Sequence, residues 1–281
     1  MTTVDHTKPT LILGGMGKTG RRVAQQMQNQ NRPVRAVSRS TDLPFDWNHP
    51  STWEAVLRDV GAIYITYQPD LAVPGAVETV KSFAETALSM GVRRMVLLSG
   101  RGEEEAQRAE RALQDTGADW TIVRASWFAQ NFSESFLLDA VLAGEVALPV
   151  GKTREPFIDA DDIADVVTAS LIDTSHIGQL YEVTGPRLLT FQDAIGEIAT
   201  ATGRDIRFTE IPANAYESML KDHGVPSDYV SLVMYLLTTV LDGRNEHVSD
   251  GVQRAIGREP RDFSNYAREA AESGMWKDKA A

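Results

Sequence analysis

Three glycines near the start of the chain have a spacing that suits phosphate binding. Gly14, Gly17 and Gly20 follow the apolar run Leu11–Leu13 and precede a segment with helical periodicity, 21–28. This order predicts a strand, a tight turn and a helix. A pyrophosphate can approach a glycine backbone closely, and the unpaired N–H groups at a helix N-terminus favour negative charge. The segment therefore predicts a dinucleotide-binding turn.

A P-loop is the competing interpretation of this turn, because Gly17-Lys18-Thr19 has the residue types that end a P-loop. A P-loop also needs a glycine five positions before Gly17. That position is Ile12, which lies inside the predicted strand. We therefore expect a dinucleotide at this turn and not a nucleoside triphosphate.

The end of the second predicted strand indicates which dinucleotide binds. Folds that prefer NAD place a carboxylate there, about 20 residues past the glycines, to bind the ribose 2′-hydroxyl. This chain has Ser38-Arg39-Ser40 instead. A guanidinium pairs with a 2′-phosphate and stacks on adenine, and Lys18 adds positive charge nearby. We therefore expect NADP(H); the alternative is that Arg39 is only a solvated residue at a strand end.

The composition is that of a globular protein. The net charge of −11 disfavours nucleic acid and anionic membranes as partners. The chain has no cysteine and its first eight residues lack the apolar core of a signal peptide, so we expect a cytoplasmic location. The five histidines are scattered, so no metal is expected. We expect a monomer or a homodimer.

Strand-like and helix-like segments alternate along the first half of the chain. This alternation predicts an α/β fold, a Rossmann-like doubly wound parallel sheet, with a smaller helix-rich C-terminal substrate subdomain. We place an NADP(H)-binding domain at 1–150, and a mixed segment that returns to the sheet and forms the helical subdomain at 151–281. Further helices are predicted at 128–142 and at 161–171, with Thr190 capping another at 191–202.

Eight short motifs follow one another in an order typical of one family. They are Gly14–Gly20, Ser38-Arg39, Phe45-Asp46-Trp47, Val96–Ser99, Thr121–Arg124, Trp127–Phe132, Phe157–Ala164 and Tyr181–Pro186. In these motifs the chain resembles NmrA-like proteins, which are atypical short-chain dehydrogenases/reductases. Within them it is most similar to the ergot-alkaloid (agroclavine/festuclavine) dehydrogenase type and its bacterial relatives. The resemblance covers nearly the whole chain and implies an NADP(H)-dependent reductase, although the superfamily includes many chemistries and some non-enzymes.

The resemblance also implies which residues form the site. The cofactor-binding positions are Gly14, Met16, Gly17, Lys18, Thr19 and Gly20 at the pyrophosphate, Ser38 and Arg39 at the 2′-phosphate, Asp46 and Trp47 beside the adenine, and Thr66, Tyr67, Gln68, Ser99 and Gly100 near the nicotinamide ribose. The substrate-cleft positions are Trp127, Phe128 and Asn131. Of all these, Tyr67, Ser99 and Trp127 would surround the reacting atoms.

The usual proton-donating pair of the superfamily is missing. Typical members use Tyr-x-x-x-Lys, in which the lysine lowers the pKa of the tyrosine, and none of the seven tyrosines here has that spacing. Ala106 stands where NmrA-like relatives often have a lysine. On the helix around it we expect Glu103-Glu104-Glu105 to be a solvated helix start and Glu110 to be a member of a surface ion pair.

Three functions remain open for a chain without that pair. We expect an NADPH-dependent reductase that transfers hydride to a small unsaturated substrate of the iminium or enone type. An iminium needs no proton when it accepts hydride. Asp159, Asp161 and Asp162 could pair with such a cation. The alternative is that they only cap a helix, with Asp161 as its N-cap. The alternatives are a quinone or azo reductase that takes its proton from water, and a regulatory protein that senses NADP(H) without catalysis.

Overall fold

The computed structural model describes residues 7–277, and these residues contain ten strands and eleven α-helices. The strands are β1 (Thr10–Leu13), β2 (Val34–Val37), β3 (Ala62–Ile65), β4 (Arg94–Gly100), β5 (Asp119–Ala125), β6 (Glu145–Leu148), β7 (Arg154–Glu155), β8 (Gln179–Val183), β9 (Leu189–Thr190) and β10 (Arg207–Glu210). The helices are α1 (Lys18–Asn29), α2 (Trp53–Leu57), α3 (Ala76–Ser89), α4 (Glu104–Asp115), α5 (Leu138–Ala143), α6 (Ala160–Ile172), α7 (Phe191–Thr202), α8 (Ala213–Asp222), α9 (Ser227–Tyr235), α10 (Gly251–Ile256) and α11 (Phe263–Glu272).

The first compact unit contains a parallel sheet. It runs to Ala125 and adds residues 160–183 and 250–258. Six strands are ordered β2-β1-β3-β4-β5-β8, and every neighbouring pair is parallel. All of β1 and β3 is buried, as expected for strands covered on both faces by helices. The predicted Rossmann-like parallel sheet is confirmed.

The strand order creates a crevice at the carboxyl ends of the strands of this sheet. After β1 the chain passes to β2 on one side, and it then crosses to β3 on the other side. Ligands of open α/β sheets bind at such a reversal, outside the carboxyl ends of the strands. The loops that follow β1, β3 and β4 therefore form the part of this unit where a cofactor would lie.

The second compact unit comprises residues 126–159, 184–249 and 259 onward. It contains two small pairs of strands, β6 with β10 and β7 with β9, and most of its other residues are helical. Its core is aromatic. The rings of four phenylalanines form five contacting pairs with 5.1–5.9 Å between ring centroids: Phe132, Phe157, Phe191 and Phe263. Thr190 caps α7 through a reciprocal pair of hydrogen bonds with Asp193, as predicted.

The structure divides the chain differently from the sequence-based prediction. The first unit ends at Ala125 and not at residue 150, because the chain leaves the sheet at the end of β5 and returns to it through α6 and β8. Residues 1–6, which contribute to the expectation about a signal peptide, lie outside the described residues.

Two helix predictions are wrong in part. Residues 128–142 do not form one helix: a 3₁₀ turn at Ala129–Phe132 and the short α5 share this stretch. The backbone at Phe128 is extended because it pairs with Ile158. Helix α6 begins at Ala160, so Asp161 lies in its first turn and is not its N-cap.

Candidate functional site

The turn after β1 is closed by glycines that no other residue can replace without a collision. Gly14 has a φ of +65°, in the left-handed region that favours glycine. A Cβ on Gly15 would overlap Ala36, and a Cβ on Gly20 would overlap the carbonyl of Gly14. The Gly15 N–H bonds to the Val37 carbonyl at 3.0 Å, which ties the turn to β2. Gly15 was not among the predicted site residues, although it adjoins them.

The N-terminus of α1 is open to an anion. Its N-cap is Gly17, no side chain caps it, and its first turn contains no acidic residue. Helix N-terminal N–H groups without a capping side chain are available to a phosphate, and the helix dipole favours that charge. The Met16 side chain is 71% exposed, so it does not close the turn. The predicted pyrophosphate-binding residues thus lie together.

Thr19 contributes its backbone and not its side chain to this region. The hydroxyl of Thr19 accepts a hydrogen bond of 3.0 Å from the buried Tyr64 hydroxyl, and Thr19 is 5% exposed. Burial raises the pKa of Tyr64 well above its usual range, so its phenol stays protonated and keeps donating. This bond fixes the start of α1 against the strand β3.

A tight turn follows β2 and presents Arg39. The Ser38 carbonyl accepts the Thr41 hydroxyl at 2.9 Å, and the Ser38 hydroxyl accepts the Ser40 N–H at 3.2 Å. Arg39 is exposed at the tip. The Asn48 N–H holds the pKa of Asp46 below its ordinary value, and the charge of Arg39 adds to this effect. Asp46 therefore stays ionised beside a cationic turn.

Trp47 lies in the core of the first unit and is only 7% exposed. Its indole N–H donates to the Thr66 carbonyl at 3.1 Å, and its ring packs against Phe45, Trp53 and Phe83. The Trp47 side chain therefore packs in the core and holds the end of β3, and its predicted place beside an adenine ring stays a prediction.

The loop after β3 also lies at the carboxyl ends of the strands. The Thr66 hydroxyl donates to the Leu13 carbonyl at 2.9 Å, which joins the carboxyl ends of β1 and β3. The Tyr67 ring lies against the Trp47 ring, with 4.9 Å between centroids. The amide nitrogen of Gln68 would lie 4.0 Å from a Cβ on Gly14. Two predicted residues, Thr66 and Gln68, thus adjoin the glycine turn, and Tyr67 stands between them in the sequence.

Ser99 at the end of β4 begins a buried hydrogen-bonded chain that the sequence did not reveal. Its hydroxyl donates to Glu110 at 2.5 Å. Arg124 donates to both oxygens of the same carboxylate, at 2.9 and 2.5 Å, and this bonding raises the pKa of Arg124. Glu110 is 2% exposed, so the prediction of a surface ion pair is wrong. Arg124 forms a further ion pair with Glu182 at 3.6 Å.

Another group of acidic side chains lies beside these hydrogen-bonded residues. Glu103 is only 8% exposed, so the prediction that it is solvated is wrong, whereas Glu104 next to it is exposed. The side chain of Glu103 meets that of Asp70 from the loop after β3. Burial raises the pKa of both carboxyls, and the charge of Asp70 raises the pKa of Glu103 further.

The predicted cleft residues belong to the second unit. The backbone N–H of Trp127 donates a hydrogen bond to the Glu155 carboxylate at 3.3 Å. The centroid of its ring lies 5.9 Å from that of Phe191 and 6.5 Å from that of Phe136. Its indole N–H is buried without an acceptor among the described residues. Asn131 follows Phe128 in the 3₁₀ turn, where its N–H bonds to the Phe128 carbonyl at 3.1 Å.

The three aspartates expected to face a cation have structural partners. Asp159 accepts the Gln130 amide at 2.8 Å and is 3% exposed. Asp161 pairs with Arg22 at 3.0 Å, and Asp162 pairs with Arg258 at 2.6 Å. Each of these carboxylates thus has a partner within the protein, and their pairing with an iminium stays a prediction.

Metal sites and membrane spans were also sought among residues 7–277. In that range, no group of three or more His, Asp or Glu side chains is arranged to hold a metal ion. Within the same range, no helix has both the length and the apolar character needed to cross a membrane.

A family model described as NAD(P)H-binding matches residues 14–174, which is more than half of the chain. The chain belongs to the NAD(P)H-binding family. The match begins at Gly14 of the glycine turn and includes Arg39, Ser99 and the acidic residues around Ser99. The NAD(P)H cofactor expected from the glycine spacing is thereby confirmed.

Two curated relatives of this NAD(P)H-binding chain cover nearly its whole length. The uncharacterized oxidoreductase YesF of Bacillus subtilis is 29% identical over 95% of this chain and 96% of its own length. Agroclavine dehydrogenase of Claviceps fusiformis is 28% identical over 95% and 99%. The expected resemblance to this dehydrogenase type is confirmed.

A solved structure of the same fold is the NADPH-dependent quinone oxidoreductase of Escherichia coli complexed with NADPH. It is 17% identical to this chain with a TM-score of 0.77, and the match covers 92% of this chain and 99% of that one. At this identity the likeness concerns the fold alone.

Proposed function

We propose that this chain is an NADPH-dependent reductase that delivers hydride to a small unsaturated organic substrate of the iminium or enone type. One observation carries the proposal: an uncapped α1 N-terminus stands behind a glycine turn at the switch point of the sheet, with Arg39 exposed on the next turn. The relatives are named as an oxidoreductase and a dehydrogenase, which supports a redox reaction over binding alone.

The described residues suit the phosphate groups of NADPH at two places. The N–H groups at the start of α1 would hold the pyrophosphate. Arg39 would pair with the 2′-phosphate, and no carboxylate stands at the end of β2 to prefer the ribose hydroxyl of NAD. We therefore assign NADPH as the cofactor, and its reduced nicotinamide would supply the hydride.

Ser99 and Tyr67 are proposed to orient the reacting groups. Because Ser99 donates its proton to Glu110, its oxygen is left to accept a hydrogen bond from a bound amide or hydroxyl. Tyr67 is fixed by its contact with Trp47. Trp127 is proposed as a cleft residue, since its buried indole N–H has no acceptor among residues 7–277.

The two compact units are proposed to have different roles, one in cofactor binding and the other in substrate binding. We propose that the first unit binds NADP(H), since it contains the glycine turn, Arg39 and Ser99. The second unit is the proposed substrate subdomain, since it contains Trp127 and Phe136, whose ring is 46% exposed. An exposed aromatic side chain suits an apolar, unsaturated substrate.

The experiment is a substrate panel with NADPH and NADH. NADPH oxidation is followed with a preformed iminium, an enone, a quinone and an azo dye, and NADPH affinity is measured by fluorescence titration. We expect steady NADPH oxidation with the iminium or the enone and slower oxidation of NADH. Turnover of the quinone or azo dye alone would favour that alternative, and tight binding without turnover of any acceptor would favour a regulatory protein.

A further inference from the structure

Two carboxyl groups from neighbouring loops meet in the first unit. Asp70 lies in the loop between β3 and α3, and Glu103 lies directly before α4. Asp70 accepts the Ala72 N–H at 2.8 Å. The Oε2 atom of Glu103 is buried, and no N–H or O–H donor of the described residues reaches it. Two carboxyl groups form a hydrogen bond with each other only when one of them carries a proton.

The surroundings of the pair keep that proton in place. Glu103 is 8% exposed, and desolvation disfavours its charged form. The charges that act on it come from Asp70 and from Glu110, and both are negative. Arg124 neutralises Glu110 by its paired hydrogen bonds, but it does not bond to the Asp70–Glu103 pair. For two carboxyls in contact, ionisation of the second is strongly disfavoured.

Glu103 is turned toward the end of β4 and away from its own helix. It occupies the N-cap position of α4, yet its side chain makes no capping hydrogen bond. It lies over Gly100 instead, so closely that a Cβ at residue 100 would collide with its carboxyl group. Ser99 and Gly100 are proposed nicotinamide neighbours, and so are Tyr67 and Gln68, which precede Asp70 by two and three residues.

The geometry points to Glu103, hydrogen-bonded to Asp70, as the proton donor of this reductase, and therefore to a substrate that takes up a proton as well as a hydride. This inference rests on the proposed function and chooses, within it, the enone over the preformed iminium. In the step, hydride adds to the β-carbon of the enone and its electron pair forms the new C–H bond. The C=C π pair then forms the double bond of the enol, and the C=O π pair moves to the oxygen. The Glu103 O–H bond breaks and its proton goes to the carbonyl oxygen, which leaves an enol and a fully ionised pair. Water then returns the proton to the pair.

The test compares two substrates in the same variants. Glu103→Gln keeps the size of the side chain but removes the acid, and Asp70→Asn removes its partner. Glu104→Gln is the matched control, since Glu104 is exposed and pairs with Arg108 on the surface. The substrates are cyclohexenone, which needs a proton, and an N-methyl-dihydroisoquinolinium salt, which does not.

We expect Glu103→Gln to lower kcat for cyclohexenone about 100-fold or more, the usual effect of losing a general acid. Its kcat for the iminium should change less than about threefold in the same preparation. Asp70→Asn should shift the basic limb of the pH profile for cyclohexenone, and Glu104→Gln should change neither substrate. An unchanged NADPH affinity and an unchanged circular dichroism spectrum would show that Glu103→Gln folds and binds.

A spectroscopic readout is independent of turnover. The infrared carbonyl band of a protonated carboxyl group should be present at pH 7 in the wild-type protein, without and with NADPH, and absent in Glu103→Gln. The same band in Glu103→Gln, or none in the wild type, would overturn the inference. Equal slowing of both substrates by Glu103→Gln would overturn it too, while the proposed function stands. No NADPH oxidation by the wild type with any acceptor would instead overturn the proposed function, and this proton donor with it.

Discussion

At the scale of single residues, Glu110 connects Ser99 to Arg124. Its carboxylate accepts both partners while only 2% of it is exposed. We expect Glu110→Gln to lower the free energy of unfolding by about 3 kcal/mol, because Arg124 would lose its doubly hydrogen-bonded carboxylate in a partly buried place and keep only the more distant Glu182. Urea unfolding measures the difference. Glu104→Gln, on the exposed side of the same helix, should stay within about 0.5 kcal/mol of the wild type.

Arg39 is the residue that decides between the two nicotinamide cofactors. It is exposed on the turn after β2, where a 2′-phosphate would lie. We expect Arg39→Ala to raise the KM for NADPH about tenfold or more, since a charged hydrogen bond contributes about 1.5–3 kcal/mol, and to leave the KM for NADH unchanged. Arg111→Ala removes an equally exposed arginine from α4 and serves as the control. Equal changes for NADPH and NADH would contradict the assignment.

The sequence predicted some of these residues and missed others for a physical reason. The glycine spacing and Arg39 are local signals: the glycines form a turn before α1 and Arg39 is exposed, while their roles in binding stay predictions. Glu110 and Glu103 have the same local pattern as their solvated neighbours. Their burial depends on partners far along the chain, Arg124 and Asp70. One signal was available: Arg124 follows residues Thr121–Val123 of β5, which are apolar except for one hydroxyl, and a charge in such a strand needs a carboxylate.

At the scale of secondary-structure elements, the fit between β1 and α1 depends on Gly20. A Cβ there would overlap the Gly14 carbonyl. We expect Gly20→Ala to weaken NADPH binding, and to cost about 2 kcal/mol of stability because an extra carbon is forced into a packed turn. Gly196→Ala is the control: residue 196 lies on the exposed face of α7 with open space around it. That substitution should stabilise the protein by about 0.5–1 kcal/mol. Equal effects of the two substitutions in thermal unfolding would contradict the steric argument.

The elements of the first unit were predictable, whereas the segment after β5 was not. Strands buried on both faces appear in the sequence as short continuous apolar runs, and helices with a clear apolar stripe have a strong periodic signal. Residues 128–142 also have apolar residues at helical spacing, but the extended backbone at Phe128 pairs with Ile158 thirty positions later. Pairing between distant segments overrides local preference, and a single sequence does not show it.

At the scale of the whole molecule, the Asp70–Glu103 pair links stability to pH. Both carboxyls have a raised pKa in the folded protein. Above the ordinary value of 4.5 for a glutamate, the folded state binds more protons than the unfolded state, so the pair makes stability fall as pH rises. We expect the melting temperature of the wild type to fall, relative to that of Glu103→Gln, as pH rises from 5 toward 8. A difference between the two that is constant with pH would contradict this account.

The division of the chain into two units also belongs to this scale. The sequence predicted a dinucleotide-binding part and, within 151–281, a segment that returns to the sheet, but it did not show that residues 160–183 and 250–258 are the ones that belong to the first unit. Such returns depend on which strand edge remains unpaired. Strand β8 pairs with β5, and only the assembled sheet offers that edge.

The central claim is that this chain moves hydride from NADPH to carbon. The most direct measurement uses NADPH carrying deuterium at the transferable position of the nicotinamide, with cyclohexenone as the acceptor and mass spectrometry of the product. The account predicts a product with one deuterium at the β-carbon, formed faster with NADPH than with NADH. A product without deuterium, or tight NADPH binding with no product from any acceptor of the panel, would contradict it.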